Sequence, residues 1–243
     1  MTAVLTIVGV LLLLLLWAFV IAPRRALKQF DWVKVQGWWD VGPEDAALAA
    51  AVQELRPFNP AAYVERDGRS AVATVVRALG QAAPGGGTRF LAQARTRGPT
   101  SDMDGVEISF ETLILEPRPM AVAAPMYVLA RDRKMFLSDD QLRALELRPT
   151  EAGLDSAFLS LFTVLEHAGE APARVPAALR DAMMATADVF VMGMGRSRRW
   201  LPNACLRFTP SGWGFLVPML TERAQMEALL ETAERISQSL AAS

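Results

Sequence analysis

Hydrophobic positions fall into two regimes along this chain. From Ala3 to Ala22, twenty consecutive residues carry no charge, and fourteen of them are Leu, Ile, Val or Phe. As a helix rising ~1.5 Å per residue this run is about 30 Å long, the thickness of a bilayer's hydrocarbon core. Leu11 to Leu16 are six leucines in a row; they surround such a helix and leave no polar stripe, which suits lipid better than the surface of a protein core. The pattern predicts a transmembrane anchor over residues 1–22. A cleaved export signal competes with it, but only Met1 and Thr2 precede the run and the exit Val20-Ile21-Ala22 lacks the small-x-small form.

Beyond Ala22 the apolar residues become periodic. Residues 43–55 begin with Pro and two acids and continue with Ala, Leu and Val at helical spacing. Residues 61–79 fit either a strand or a helix, and the triple glycine within 83–89 marks a loop. In GVEISFETLILE, residues 105–116, Val106, Ile108, Phe110, Thr112 and Ile114 alternate with Glu107, Ser109 and Glu111. That period of two predicts a strand with one wet face. Phe90–Arg95 and Met126–Ala130 are expected as neighbours in the same sheet. A short capped helix follows from Ser138, residues 158–165 read as strand or helix, and Pro176 starts a helix. CLRFT, PSGWG and FLVPM read as a hairpin. From Thr221 onward, Met226, Leu229, Ala233, Ile236 and Leu240 form one stripe of a C-terminal helix. Strands grouped with helices, without regular alternation, predict an α+β domain over residues 43–243 with a mainly antiparallel sheet.

Charge gives the anchor a direction. Arg24, Arg25, Lys28 and Lys34 all follow the apolar run and no Lys or Arg precedes it. The positive-inside rule then places the N-terminus in the periplasm and the rest of the chain in the cytoplasm of a bacterial cell, at its inner membrane. Residues 23–42 form a basic, aromatic juxtamembrane segment in which Lys28, Trp32 and Lys34 would sit at headgroup depth. Trp38 and Trp39 are expected in the domain core. Pro23 is expected to kink or end the membrane helix.

Composition removes more than it adds. With 25 Lys and Arg against 26 Asp and Glu, the net charge of −1 provides no basic field for nucleic acid. One cysteine, Cys205, excludes an internal disulfide, and one histidine, His167, excludes two-histidine metal motifs. No cofactor is expected. Ala- and Arg-rich usage agrees with a GC-rich bacterial source.

The chemistry-bearing candidates are few. In VMGMGRSRRW, residues 191–200, Gly193 and Gly195 would let backbone amides approach an anion while Arg196, Arg198 and Arg199 fork onto it; a solvated basic loop is the plainer reading. Asp102 and Asp104 in SDMDG form a weak divalent-metal pair that also suits a simple turn. His167 with Glu166 or Ser160 would make a general base, against a terminal residue facing solvent. Met183, Met184, Met192 and Met194 read as core filling or as an adaptable surface. The poverty of reactive side chains points to a non-catalytic protein that binds a membrane or cytoplasmic protein partner. The alternatives are a membrane-tethered enzyme acting on a lipid or phosphorylated substrate through Asp102, Asp104 and the arginine loop, and an apolar-ligand sensor.

Overall fold

The structure, a computed structural model, describes residues 2–60, 72–99, 106–131, 137–151, 153–170, 174–191, 199–218 and 220–241. Its centre is a nine-stranded sheet: β1 (Trp39–Val41), β2 (Val72–Ala82), β3 (Thr88–Pro99), β4 (Val106–Pro117), β5 (Met126–Ala130), β6 (Leu147–Thr150), β7 (Phe162–His167), β8 (Cys205–Thr209) and β9 (Gly212–Pro218). Their spatial order is β1-β2-β3-β4-β9-β8-β5-β7-β6, and each recorded pairing is antiparallel. The expected hairpin therefore forms, and it lies between β4 and β5. Phe90–Arg95 does neighbour β4, whereas Met126–Ala130 is separated from it by both hairpin strands.

Helices cover both faces. Among the described residues they are α1 (Thr2–Leu16), α2 (Ala22–Lys34), α3 (Ala46–Leu55), α4 (Asp139–Ala144), α5 (Ser156–Leu161), α6 (Ala177–Met184), α7 (Ala187–Phe190) and α8 (Arg223–Ala241). On one face α2, α6 and α8 close the main core, where Phe30, Met183, Leu229 and Ile236 meet Leu91, Ile114, Trp213 and Phe215. On the other face α3 sets Leu48, Ala51 and Leu55 on Phe90, Leu113 and Leu216. Under α4, Leu142 packs with Tyr127, Leu129 and Leu165.

The local signals act where the sequence places them. Asp45 caps α3 by accepting the Leu48 N–H at 2.9 Å. Ser138 Oγ accepts the Gln141 N–H at 3.2 Å while Gln141 Oε1 accepts the Ser138 N–H at 2.9 Å, a reciprocal capping box. Ser138→Ala is expected to lower stability by about 1 kcal/mol, read as a shift of the denaturant midpoint. The β2–β3 turn uses Gly86 and Gly87 at φ +86° and +80°, as the triple glycine implies. Residues 158–165 resisted a single assignment because the strand β7 begins immediately where α5 ends, at Phe162.

Two expectations are corrected. The wet face of β4 is dry over its second half, where Glu111, Leu113 and Leu115 are fully buried, and Glu116 is fully buried on the opposite face. Arg56, at the end of α3, donates from Nε and Nη2 to the two Glu111 oxygens at 2.9 and 2.7 Å, and Asn59 donates to Oε1 at 3.0 Å. The alternating acids thus mark buried ion pairs under α3 and α8. Trp38 joins the core, but Trp39 on the edge strand β1 stays 46% exposed. A methyl at Gly80 would stand 2.7 Å from Trp39 Nε1, so the side-chain-free glycine gives the indole its seat on the sheet.

The N-terminal run is wound in three helical segments. Helical winding does not stop at Pro23; it runs from α1 through a π-helical segment, Trp17–Ile21, into α2. Pro23 falls in the first turn of α2, where its missing N–H leaves no helical hydrogen bond unmade. The apolar run is divided among these segments, and no helix among the described residues is long and apolar enough to cross a membrane. α2 itself belongs to the body: Phe30 and Val33 are buried in the main core.

Candidate functional site

One cleft brings buried charge, aromatic surface and open volume together. α2 and α8 lie on the same face of the sheet, and near the β2–β3 turn they leave a groove of about 670 Å³. Trp32, Trp38 and Leu230 supply its apolar surface, and Gln36 and Gln81 its neutral polar groups. The volume falls within the range of small-molecule pockets, roughly 300–1,000 Å³.

Arg89 on β3 is the structural centre of the groove. Its side chain is only 2% exposed. Nε donates to Glu116 Oε2 at 2.7 Å and Nη1 to Glu234 Oε2 at 2.8 Å, but Nη2 is buried without a hydrogen-bond partner. A buried charge is tolerated only when paired, which explains the neighbouring carboxylates. Glu116 is itself held by Ser237 Oγ at 2.7 Å and by Arg118 Nη1 at 3.4 Å. Arg118 continues onto the Ser237 and Leu240 carbonyls at 3.3 and 3.0 Å, so this network also pins the end of α8 to the sheet.

The outer wall is a row of acids on α8, each engaged. Glu227 accepts from Arg223 at 2.9 Å, Glu231 from Arg199 at 2.5 Å and Glu234 from Arg89. Arg223 also lies over the Trp32 ring, 4.5 Å from its centroid. Among the lining residues Arg89, Arg223 and Arg235 balance Glu227, Glu231 and Glu234, three cations to three anions.

The residues singled out in the sequence distribute differently. Trp32 lines the groove, and Lys34 forms an ion pair with Asp40. Arg24, Arg25 and Lys28 are exposed along α2. Of the arginine loop, Arg199 meets Glu231; Gly193, Gly195, Arg196 and Arg198 lie outside the described residues, as do Asp102, Asp104, Met192 and Met194. Met183 is core and Met184 packs against it. His167 and Glu166 are adjacent on β7, so they point to opposite faces. Glu166 Oε1 takes the Arg148 Nε at 2.9 Å and His167 rests 6.0 Å from the Tyr127 ring. Ser160 donates to the Ala157 carbonyl.

Arg89 was not legible as a site residue. Its partners are 27 and 145 positions away, and nothing local in TRFLAQ announces them. The available signal was the acidic spacing of Glu227, Glu231 and Glu234 on one side of a helix otherwise striped for the core.

The fold and groove define an α+β protein with a large antiparallel sheet, covered by helices on both faces. No protein family, curated protein or solved structure matches the chain.

Proposed function

We propose that this chain is a single-pass bacterial inner-membrane protein that holds a cytoplasmic α+β body at the bilayer, where that body binds a partner without catalysis. The observation supporting the anchor is exposure around the whole circumference of the first helical stretch. Leu12 and Leu13 are 61% and 66% exposed, and Ile7, Val10, Leu16 and Trp17 are exposed as well. Successive residues lie about 100° apart on a helix, so these side chains look outward in every direction. Lipid covers such a surface; water does not. The π turn before Pro23 is compatible with this, because a π-bulge keeps the backbone hydrogen-bonded within the helix.

Alkaline carbonate extraction of membranes is the direct test. The full chain is expected in the pellet, and a C-terminal tag is expected to survive protease added to intact spheroplasts. Recovery in the supernatant would remove the anchor, and digestion of the tag would reverse the orientation. Leu12→Arg with Leu13→Arg is expected to release the chain, since each arginine near a helix centre costs about 2.5–3.5 kcal/mol of insertion.

The groove gives the sensing alternative an observation of its own, because it joins two indoles to a buried guanidinium.

A further inference from the structure

We infer that the groove between α2 and α8 binds a small organic carboxylate with a flat apolar body, and that Glu234 occupies the carboxylate's place when the ligand is absent. The inference concerns the folded body alone and does not depend on where the chain sits relative to a membrane.

The argument starts from the incomplete pairing of Arg89. A guanidinium is a planar fork that matches a carboxylate with two parallel N–H···O bonds. Arg89 makes no such paired contact: Nε gives a single bond inward to fully buried Glu116, Nη1 a single bond to Glu234, and Nη2 has no acceptor. Buried donors of this kind are normally satisfied. Glu234 reaches Arg89 from α8 with its side chain 42% exposed, and Gln238 Nε2 holds its other oxygen at 2.8 Å. It is thus a half-solvated carboxylate tethered beside a buried cation, able to swing out into water. An incoming carboxylate that displaces it can engage Nη1 and Nη2 together.

Charge selects the sign of the ligand. Every acid on the α8 wall already has a cation, whereas Arg235 has no ion pair among the described residues. A cationic ligand finds no unpaired acid on that wall, whereas a carboxylate that displaces Glu234 finds the unbonded Nη2 of Arg89 and the unpaired Arg235. The rest of the ligand is set by Trp32, Trp38 and Leu230, which offer flat apolar surface, with Gln36 and Gln81 at the rim.

The test uses the purified full chain in an uncharged detergent, titrated by calorimetry with 2-naphthoate, its neutral amide and 2-naphthylmethylammonium. Naphthoate is expected to bind saturably with a Kd near the millimolar value usual for so small a probe, and about tenfold more tightly than the amide. Glu234→Gln removes the internal competitor and is expected to tighten naphthoate by about three- to tenfold without changing the amide. Arg89→Lys is expected to abolish the preference for the carboxylate. Because that variant removes a structural pair and can fail to fold, Glu234→Gln decides the matter by itself. The inference is overturned if naphthoate shows no saturation to ~10 mM, if the amide or the ammonium binds as well as the acid, or if Glu234→Gln leaves naphthoate unchanged or weaker.

Discussion

Glu111→Ala is expected to lower the unfolding free energy by about 3–5 kcal/mol, a large part of the stability of an ordinary domain. The reason is the cation left behind. Arg56 sits beneath α3 with both its forked contacts on Glu111, and Asn59 shares the same carboxylate. Removing the acid takes the facing charge and two hydrogen bonds from a guanidinium whose side chain is only 12% exposed. The comparison that isolates this cause is the double substitution Arg56→Met with Glu111→Leu. Replacing a buried pair by apolar groups of similar size is often neutral or stabilising, so the double variant is expected to be clearly more stable than Glu111→Ala. Equilibrium denaturation in mild detergent measures both. A double variant as unstable as the single one would mean that the site is held by shape rather than by charge compensation.

Gly214→Ala is expected to be the second severe change. Gly214 lies on β9 opposite Arg207 of β8, directly beneath the C-terminal end of α3. A methyl there would fall inside the contact distance of the Leu55 carbonyl oxygen and 2.9 Å from its carbon. Both obstacles are backbone, so neither can rotate away. Overpacking of this kind costs about 1–3 kcal/mol or more. It also pushes at the place where Arg207 Nη1 donates to the Arg56 carbonyl at 3.2 Å. Hydrogen exchange is expected to show lost protection in residues 46–55 with β9 less affected; uniform loss across the sheet would argue against local displacement of α3.

Legibility in the sequence followed the range of the interactions. Signals carried by neighbours a few positions apart were readable: the Ser138 capping box, the glycines after Ala83, the hairpin strands around PSGWG and the α8 stripe. Glu111 was misread, and Glu116 was not singled out, because strand alternation says which side an acid faces and nothing about what covers that side. Their coverings come from Arg56, 55 positions before Glu111, and from Ser237, 121 positions after Glu116. Pro23 falls in the first turn of α2, behind a π-helical segment that no local signal announces. The groove was the least visible feature, since its floor is a strand arginine and its walls are α2 and α8, at opposite ends of the chain.

The position of β8 and β9 in the sheet has a consequence for how the protein is made. The hairpin spans Cys205–Pro218 and pairs β4 on one side with β5 on the other, although both of those strands are finished by Ala130. Until the ribosome delivers that hairpin, the nascent chain carries two raw sheet margins that have no direct route to each other in the native order. Such margins invite pairing with other chains, and late, distant closure slows assembly. Translation beyond residue 200 is therefore the step at which two half-sheets become one, and a chain halted before it is expected to be the form that quality control removes.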